Sequence, residues 1–373
     1  LAAFDRANPP AGAQLDIPGI GAWLRGALAE AARLAEITAI VPVGHGAAGV
    51  LMAGDAPLAA LDYEAEPPRE IAAAYEALRD PFAATLSPRL PGGLNLGAQL
   101  YWLEHLHPDV WPKTGWMLPW AQYWAWFLSG ERASEVTSLG CHTDLWRPYE
   151  RRYSDLAIGR GWAERMAPLR GASEVLGVAR SGFGLPPTCQ VYCGLHDSNA
   201  ALHAARGMPE LAGAPFAVVS TGTWFVSLAS GGAGPDAYDP AEDMLANVDV
   251  DGRPTPTARF MGGRDYEAWM GATLGAAPDA TRLAEAAALD SWRDAPPVLR
   301  ATRAALELAR RTDHALGLIA AEGPILIEGR FADDASFAAA LAALRPSQRV
   351  LRSPLADGVA VGAARLVSPT PLP

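Results

Sequence analysis

Two blocks of strand–turn–helix units, held apart by a helical stretch crowded with tryptophan, constrain this chain more than anything else in its sequence. In the first block, residues 20–35 place Ile20, Leu24, Leu28, Ala31 and Leu34 at helical spacing, and residues 37–43 (ITAIVPV) form a continuous apolar run. Such a run beside an amphipathic helix predicts a strand buried on both faces. It ends at Gly44-His45-Gly46, and Gly54-Asp55 then predicts a hairpin-like turn before Leu61-Asp62-Tyr63-Glu64. In the second block, residues 189–193 predict a short strand that breaks at Gly194-Leu195-His196-Asp197 and enters a helix over 198–207. Residues 216–220 predict a strand, Thr221-Gly222-Thr223 a tight turn, and 224–229 a returning strand. Residues 324–328 predict a strand ending at Gly329, with helices over 335–344 and 359–366. The fold class read from this alternation is α/β.

Between the blocks, residues 95–130 read as helical and aromatic, and seven of the twelve tryptophans fall between Trp102 and Trp146. Core packing accounts for such a cluster through the area an indole buries; a sugar-stacking wall is the sharper alternative. A length of 373 residues predicts two domains. The formal net charge of −11 leaves no basic field for phosphates or anionic lipid, so neither nucleic acid nor a membrane surface is an expected partner. No apolar run approaches the roughly 18 residues that span a bilayer. Cys141, Cys189 and Cys193 are too few for a disulfide framework, and no signal peptide is read, which predicts a reducing cytoplasm. Cys189 and Cys193 have no second pair nearby, and read as buried thiols rather than zinc ligands.

Several turns carry chemistry. Asp197 follows a strand end and opens a helix. It reads either as a helix N-cap or as a general base that takes the proton of a substrate hydroxyl. Thr221-Gly222-Thr223 presents hydroxyls and backbone N–H groups at one tip, which suits phosphate oxygens, although plain turn chemistry also explains it. Gly329 permits a close approach to the backbone, such as a nucleotide requires, or is an ordinary helix-entry turn; Gly262-Gly263 is a weaker case of the same kind. His45, between two glycines at a strand end, is either a structural hydrogen-bonder or a ligand-facing imidazole. The G-x-x-x-x-G-K-[ST] phosphate motif does not occur.

Taken in order, these pieces resemble the FGGY carbohydrate kinases, over about 320 residues. Residues 122–131 (QYWAWFLSGE) resemble the family's D-Y-L-x-x-x-L-T-G-E helix, with Gln122 in place of the usual Asp. Gly194-Leu195-His196-Asp197 matches G-x-H-D, and Ser220-Thr221-Gly222-Thr223-Trp224 resembles the S-S-G-T-W of the rhamnulose and fuculose kinase branch. Glu328-Gly329-Arg330-Phe331 stands where the family has its glycine-rich adenosine loop, with Arg330 and Phe331 where further glycines are usual. Val361-Gly362-Ala363-Ala364 resembles the terminal L-G-A-A helix.

The resemblance implies two actin/hexokinase-like ATPase domains, ribonuclease H-like, each a five-stranded mixed sheet flanked by helices, around a central cleft. The expected boundary divides 1–185, the sugar side, from 186–373, the nucleotide side. It implies ATP and Mg²⁺ as cofactors and transfer of a phosphoryl group to a sugar hydroxyl, with Asp197 as base. Thr221, Gly222, Thr223, Gly263 and Gly329 would hold the nucleotide, and His45, Asp62, Glu64, Gln99 and His196 the sugar. No residue is assigned as a metal ligand, and a homodimer is left open. The acceptor expected from Thr-Gly-Thr-Trp is a ketose or deoxy-ketose, with xylulose, ribulose or gluconate as the alternative. The family also opens with a strand and an Asp-x-Gly-Thr phosphate hairpin. Residues 1–5 resemble only its returning strand, so roughly 15–20 further residues are expected before Leu1. A sugar sensor that kept the fold without the hairpin, or a binding module built on the tryptophans, are the rival readings.

Overall fold

In a computed structural model describing residues 14–63, 65–231, 234–292, 294–355 and 357–368, the apolar run at 37–43 breaks at Pro42. Proline has no backbone N–H and interrupts a sheet ladder. The run is therefore two short strands, Ala39–Ile40 and Val43–Gly44, and is mostly half-buried rather than enclosed on both faces. Ala39–Ile40 pairs in parallel with Gln190–Tyr192, and Val43–Gly44 with Leu195–His196. Between the two pairings one strand advances from Ile40 to Val43 while its neighbour advances from Val191 to Leu195, one residue more. Gly194 takes up that extra residue at φ +77°, and an ideal Cβ there would stand 2.0 Å from the Pro42 carbonyl oxygen. The result is a bulge, a device that re-aims the chain beyond it.

Residues 14–200, 246–254 and 363–368 of those described form one unit, and 201–245 with 255–362 the other. Segment 186–200 belongs with the first unit because its strands pair with 39–44. The strand expected at residues 1–5 lies outside the described residues, as does Glu64.

The first unit opens with the helix Ile17–Leu34, where the Asp16 carboxylate accepts from Gly19 N at 2.9 Å and Pro18 sits in the first turn. Gly49–Ala53 and Ala56–Ala59 form the expected hairpin on Gly54-Asp55, with Gly54 at φ +57°. The helical expectation for 95–130 is corrected in its middle. Helices Leu96–Leu106 and Trp120–Ser129 flank a strand, Trp116–Pro119, which completes a three-stranded sheet with Gly49–Ala53. The tryptophans are core: Trp116, Trp120, Trp124 and Trp126 are buried in one cluster, Trp102 and Trp146 in another.

In the second unit, Phe216–Thr221 is antiparallel to Phe225–Ser230 and parallel to Ile325–Gly329, which in turn runs parallel to Val350–Arg352. With Pro254–Phe260 and Met244–Val248 the sheet has six strands, one more than the five expected. Helix Pro297–Leu318 packs against Ala335–Leu344, which Asp334 caps through Ser336 N and Phe337 N. Among the described residues no helix is long and apolar enough to cross a membrane.

Candidate active site

The parallel strands Val43–Gly44 and Leu195–His196 end in register, Gly44 opposite His196, so His45 and Asp197 leave the same carboxyl edge side by side. That edge is where α/β sheets bind ligands. Asp197 opens the helix Asp197–Arg206, and its side chain is 42% exposed. Its Oδ1 accepts from Ser198 N at 2.6 Å and Ser198 Oγ at 3.3 Å. These bonds go to the next residue, not to the N–H two or three positions on that a cap would take.

Beside it, the His196 imidazole is buried. Burial holds its pKa below the ordinary value while Asp197 acts the other way, so the ring is neutral. Asn199 Nδ2 donates to His196 Nδ1 at 3.1 Å. That leaves Nε2 as the protonated nitrogen, and it lies 3.1 Å from Asp197 Oδ1. Nδ1 is thus engaged, and the buried ring lies against the Asp197 carboxylate.

The glycines around His45 answer to packing. An ideal Cβ on Gly44 would lie 2.9 Å from Ala121 N, and one on Gly46 would lie 2.8 Å from both Cys141 Sγ and His196 Nε2. Ala47 follows at φ +53°, a strained conformation for a residue with a side chain. The His45 ring lies 4.7 Å from Tyr63 and 6.0 Å from Trp120, centroid to centroid. Asp62 is buried next to Tyr63, whose carbonyl accepts from Gly93 N at 3.0 Å. Gln99 Nε2 donates to Ala47 O at 2.5 Å and Gly93 O at 2.6 Å. The structure therefore brings His45, Asp62, Gln99, His196 and Asp197 together in one unit, with Gln99 as a clip between loops.

The nucleotide candidates gather in the other unit, where Thr221 and Gly329 end parallel strands in register. The Thr221 hydroxyl donates to Glu328 O at 2.5 Å and accepts from Phe331 N at 2.9 Å, and Arg330 N donates to Thr221 O at 2.7 Å. Its oxygens tie two loops together. An ideal Cβ on Gly329, at φ +80°, would meet Thr221 O at 2.4 Å, and one on Gly263 would meet Gly222 O at 2.1 Å. The group that comes close to each of these glycines is the protein's own carbonyl. Gly222 differs: nothing but Trp224 O, at 3.8 Å, lies within contact of a Cβ there, and Thr223 is exposed. Arg330, where further glycines were expected, pairs with Glu267 at 2.6 Å and lies over Tyr266 and Phe331.

Sequence reasoning missed Tyr63, Trp120 and Asn199. The last had a signal, since Asn three residues after His196 at a helix start can reach back to it.

The description "Carbohydrate kinase FGGY, C-terminal domain" matches residues 213–293 and 286–373. No curated protein matches. Among solved structures, a carbohydrate kinase from Novosphingobium aromaticivorans is 42% identical, covering 95% of this chain and 85% of that one, with a TM-score of 0.88. The xylulose kinase of Bifidobacterium adolescentis (16% identity, 97% and 86% covered, TM-score 0.69) shares the fold. So does the gluconate kinase of Lactobacillus acidophilus (11%, 96% and 82%, 0.71). With the two-domain actin/hexokinase-like ATPase fold and a relative this similar over nearly its whole length, the chain belongs to the FGGY carbohydrate kinases.

Proposed function

We propose that this carbohydrate kinase moves the γ-phosphoryl of ATP to a hydroxyl of a ketose or deoxy-ketose of the rhamnulose or fuculose kind, with Asp197 as the base. The observation that carries the reading is a 42% exposed Asp197 carboxylate at the carboxyl edge beside His45, with the buried His196 Nε2 3.1 Å from its Oδ1. A carboxylate so placed accepts the acceptor hydroxyl's proton as its oxygen bonds to phosphorus. His45, Tyr63 and Asp62 supply the polar and aromatic surface for the sugar. The ketose assignment rests on Ser220-Thr221-Gly222-Thr223-Trp224.

The phosphates belong over Gly222 and Thr223, where a Cβ would project into open space and a hydroxyl is exposed. Gly263 and Gly329 shape that turn through Gly222 O and Thr221 O. Among the described residues no three His, Cys, Asp or Glu side chains cluster as a metal site. Mg²⁺ is commonly held by nucleotide phosphates, water and one or two carboxylates. When bound, Mg²⁺·ATP supplies the phosphoryl group and neutralises its charge. A cytoplasmic setting accords with three buried free thiols.

The test is Asp197→Asn, which keeps the size and the contacts to Ser198 and His196. Turnover should fall roughly 10²-fold or more while sugar binding persists. ADP release measured with rhamnulose, fuculose, xylulose, ribulose and gluconate identifies the acceptor at the same time. An Asn variant with near-normal turnover refutes the base, and no release with any acceptor favours a sugar-binding protein.

A further inference from the structure

We infer that Thr137, locked by the buried Glu135, is a positioning residue for the transfer reaction: its hydroxyl holds the His196 peptide and thereby the direction in which Asp197 leaves the sheet. This rests on the reading of Asp197 as the base.

Glu135 and Thr137 have no exposed surface. Glu135 Oε2 accepts from Thr137 Oγ1 at 2.5 Å, Thr137 N at 3.0 Å and Ser138 N at 3.2 Å. A hydroxyl has one hydrogen and two lone pairs. Once its hydrogen goes to the carboxylate, Thr137 Oγ1 can only accept from its other neighbours. It accepts from His196 N at 2.9 Å, across 59 residues of sequence. Donation along this chain of bonds runs one way, from His196 N to Thr137 Oγ1 to Glu135 Oε2, and it starts one residue before Asp197.

A cap alone does not explain the carboxylate. The helix it begins, Val136–Leu139, has four residues, and a Ser or Thr at its start would cap it without burying an ionisable group. What Glu135 adds is the orientation of the Thr137 hydroxyl. Burial raises the Glu135 pKa to about 7, against the hydrogen bonds from Thr137 and Ser138. Its Oε1 has no hydrogen-bond partner, so a proton taken up as pH falls through about 7 would sit there and leave the bonds at Oε2 in place.

The same short run is fixed from a second side. Gln122 Nε2 donates to Cys193 O and Gly194 O, both at 3.2 Å. His196 N is thus the point at which a first-unit element other than the neighbouring strand sets the peptide plane just before the base.

The experiment uses Thr137→Val, which has nearly the same shape but no hydroxyl, and Thr137→Ser, which restores it. Steady-state ADP release is measured on the full chain with the best acceptor of the ketose panel, and Asp197→Asn is run alongside. A displacement of the base by about 1 Å lowers turnover up to about 10²-fold. The valine variant should therefore lose roughly ten- to a hundredfold in kcat, with KM for sugar and ATP within about twofold, and the serine variant should recover most of it. If the valine variant does not accumulate as folded protein, Thr137→Ala removes the hydroxyl without adding a carbon and gives the same reading. Turnover within twofold of wild type in either variant overturns the inference, as does a loss carried by KM or a serine variant as slow as valine. Asp197→Asn separates the two failures: if it remains active, the base is wrong; if it is inactive while Thr137→Val is normal, only the positioning role is wrong.

Discussion

Gly194→Ala perturbs the bulge that carries the candidate base, and its cost can be worked from the geometry. The new Cβ would stand 2.0 Å from Pro42 O and 2.9 Å from the carbonyl carbon, both backbone atoms, at φ +77°. Left-handed backbone costs a residue with a side chain about 1–2 kcal/mol, and forcing a carbon into packed surroundings about 1–3 kcal/mol more. The lower chain entropy of unfolded alanine returns about 0.4–1 kcal/mol. The net loss is about 2–4 kcal/mol, a large part of the roughly 5–15 kcal/mol that holds a typical domain. Nine of the twelve tryptophans lie in the same unit, so intrinsic fluorescence during urea unfolding reports on it. At a slope near 2 kcal/mol per molar urea, the midpoint of that transition should fall by about 1–2 M. Since Asp197 follows three residues later, turnover should fall as well. A midpoint within about 0.2 M of wild type would refute the claim that the Pro42 carbonyl excludes a side chain at 194.

Gly222→Val should fill the open space over the Thr-Gly-Thr turn and weaken nucleotide much more than sugar; equal weakening of both by calorimetry means that the turn is only structural. His45→Ala should change the ranking of ketoses, because an unpaired buried hydroxyl costs about 1–3 kcal/mol. A change in nucleotide affinity alone would place the sugar elsewhere. Glu135→Gln tests the buried carboxyl through pH. Its folded pKa, raised by burial to about 7, exceeds the ordinary 4.5, so the native state binds its proton more tightly. The stabilisation is full below about 4.5 and is lost as pH rises through about 7, by about 3 kcal/mol in all. Denaturation at several pH values should show the wild-type minus Gln difference changing across that window, and a difference flat with pH contradicts it.

In the second unit the elements at 216–230 and 324–344 were legible because they are locally specified, whereas Met244–Val248, Pro254–Phe260 and the helix Pro297–Leu318 were not read from the sequence. Helix Ala335–Leu344 has its Asp334 cap and an apolar composition, and strand Phe216–Thr221 a continuous apolar start that runs into its turn. The first unit was harder. Pro42 lay inside an apolar run, and apolarity was weighed above the missing N–H, so a broken pair of strands was read as one. Trp116–Pro119 looked helical because its neighbours on both sides are, and only pairing with Gly49–Ala53 makes it a strand. The glycines were recognised but their partners were not. Gly263 and Gly329 read as close approaches for a nucleotide or as ordinary turns, and Gly44 and Gly46 only as neighbours of His45; at all four a Cβ would meet a neighbouring part of the protein itself. A local sequence window shows that close approach is needed, not what approaches.

Gln122 shows how a departure from the family pattern can be read physically. Both of its donor contacts go to carbonyl oxygens, Cys193 O and Gly194 O. An Asp at this position, shorter and able only to accept when ionised, could make neither bond and would face two oxygens of like partial charge. It would also add a further buried carboxyl to the unit that already encloses Asp62, Glu135 and Asp144. The amide therefore belongs with the bulge: Gly194 turns the chain, Gln122 holds the carbonyls at the turn, and Thr137 takes the N–H at its far side. Each anchor comes from a different segment and satisfies a different backbone group, so none can replace another. The candidate base Asp197 follows this run, so the direction of its carboxylate depends on all three, a dependence that fold stability alone would not require.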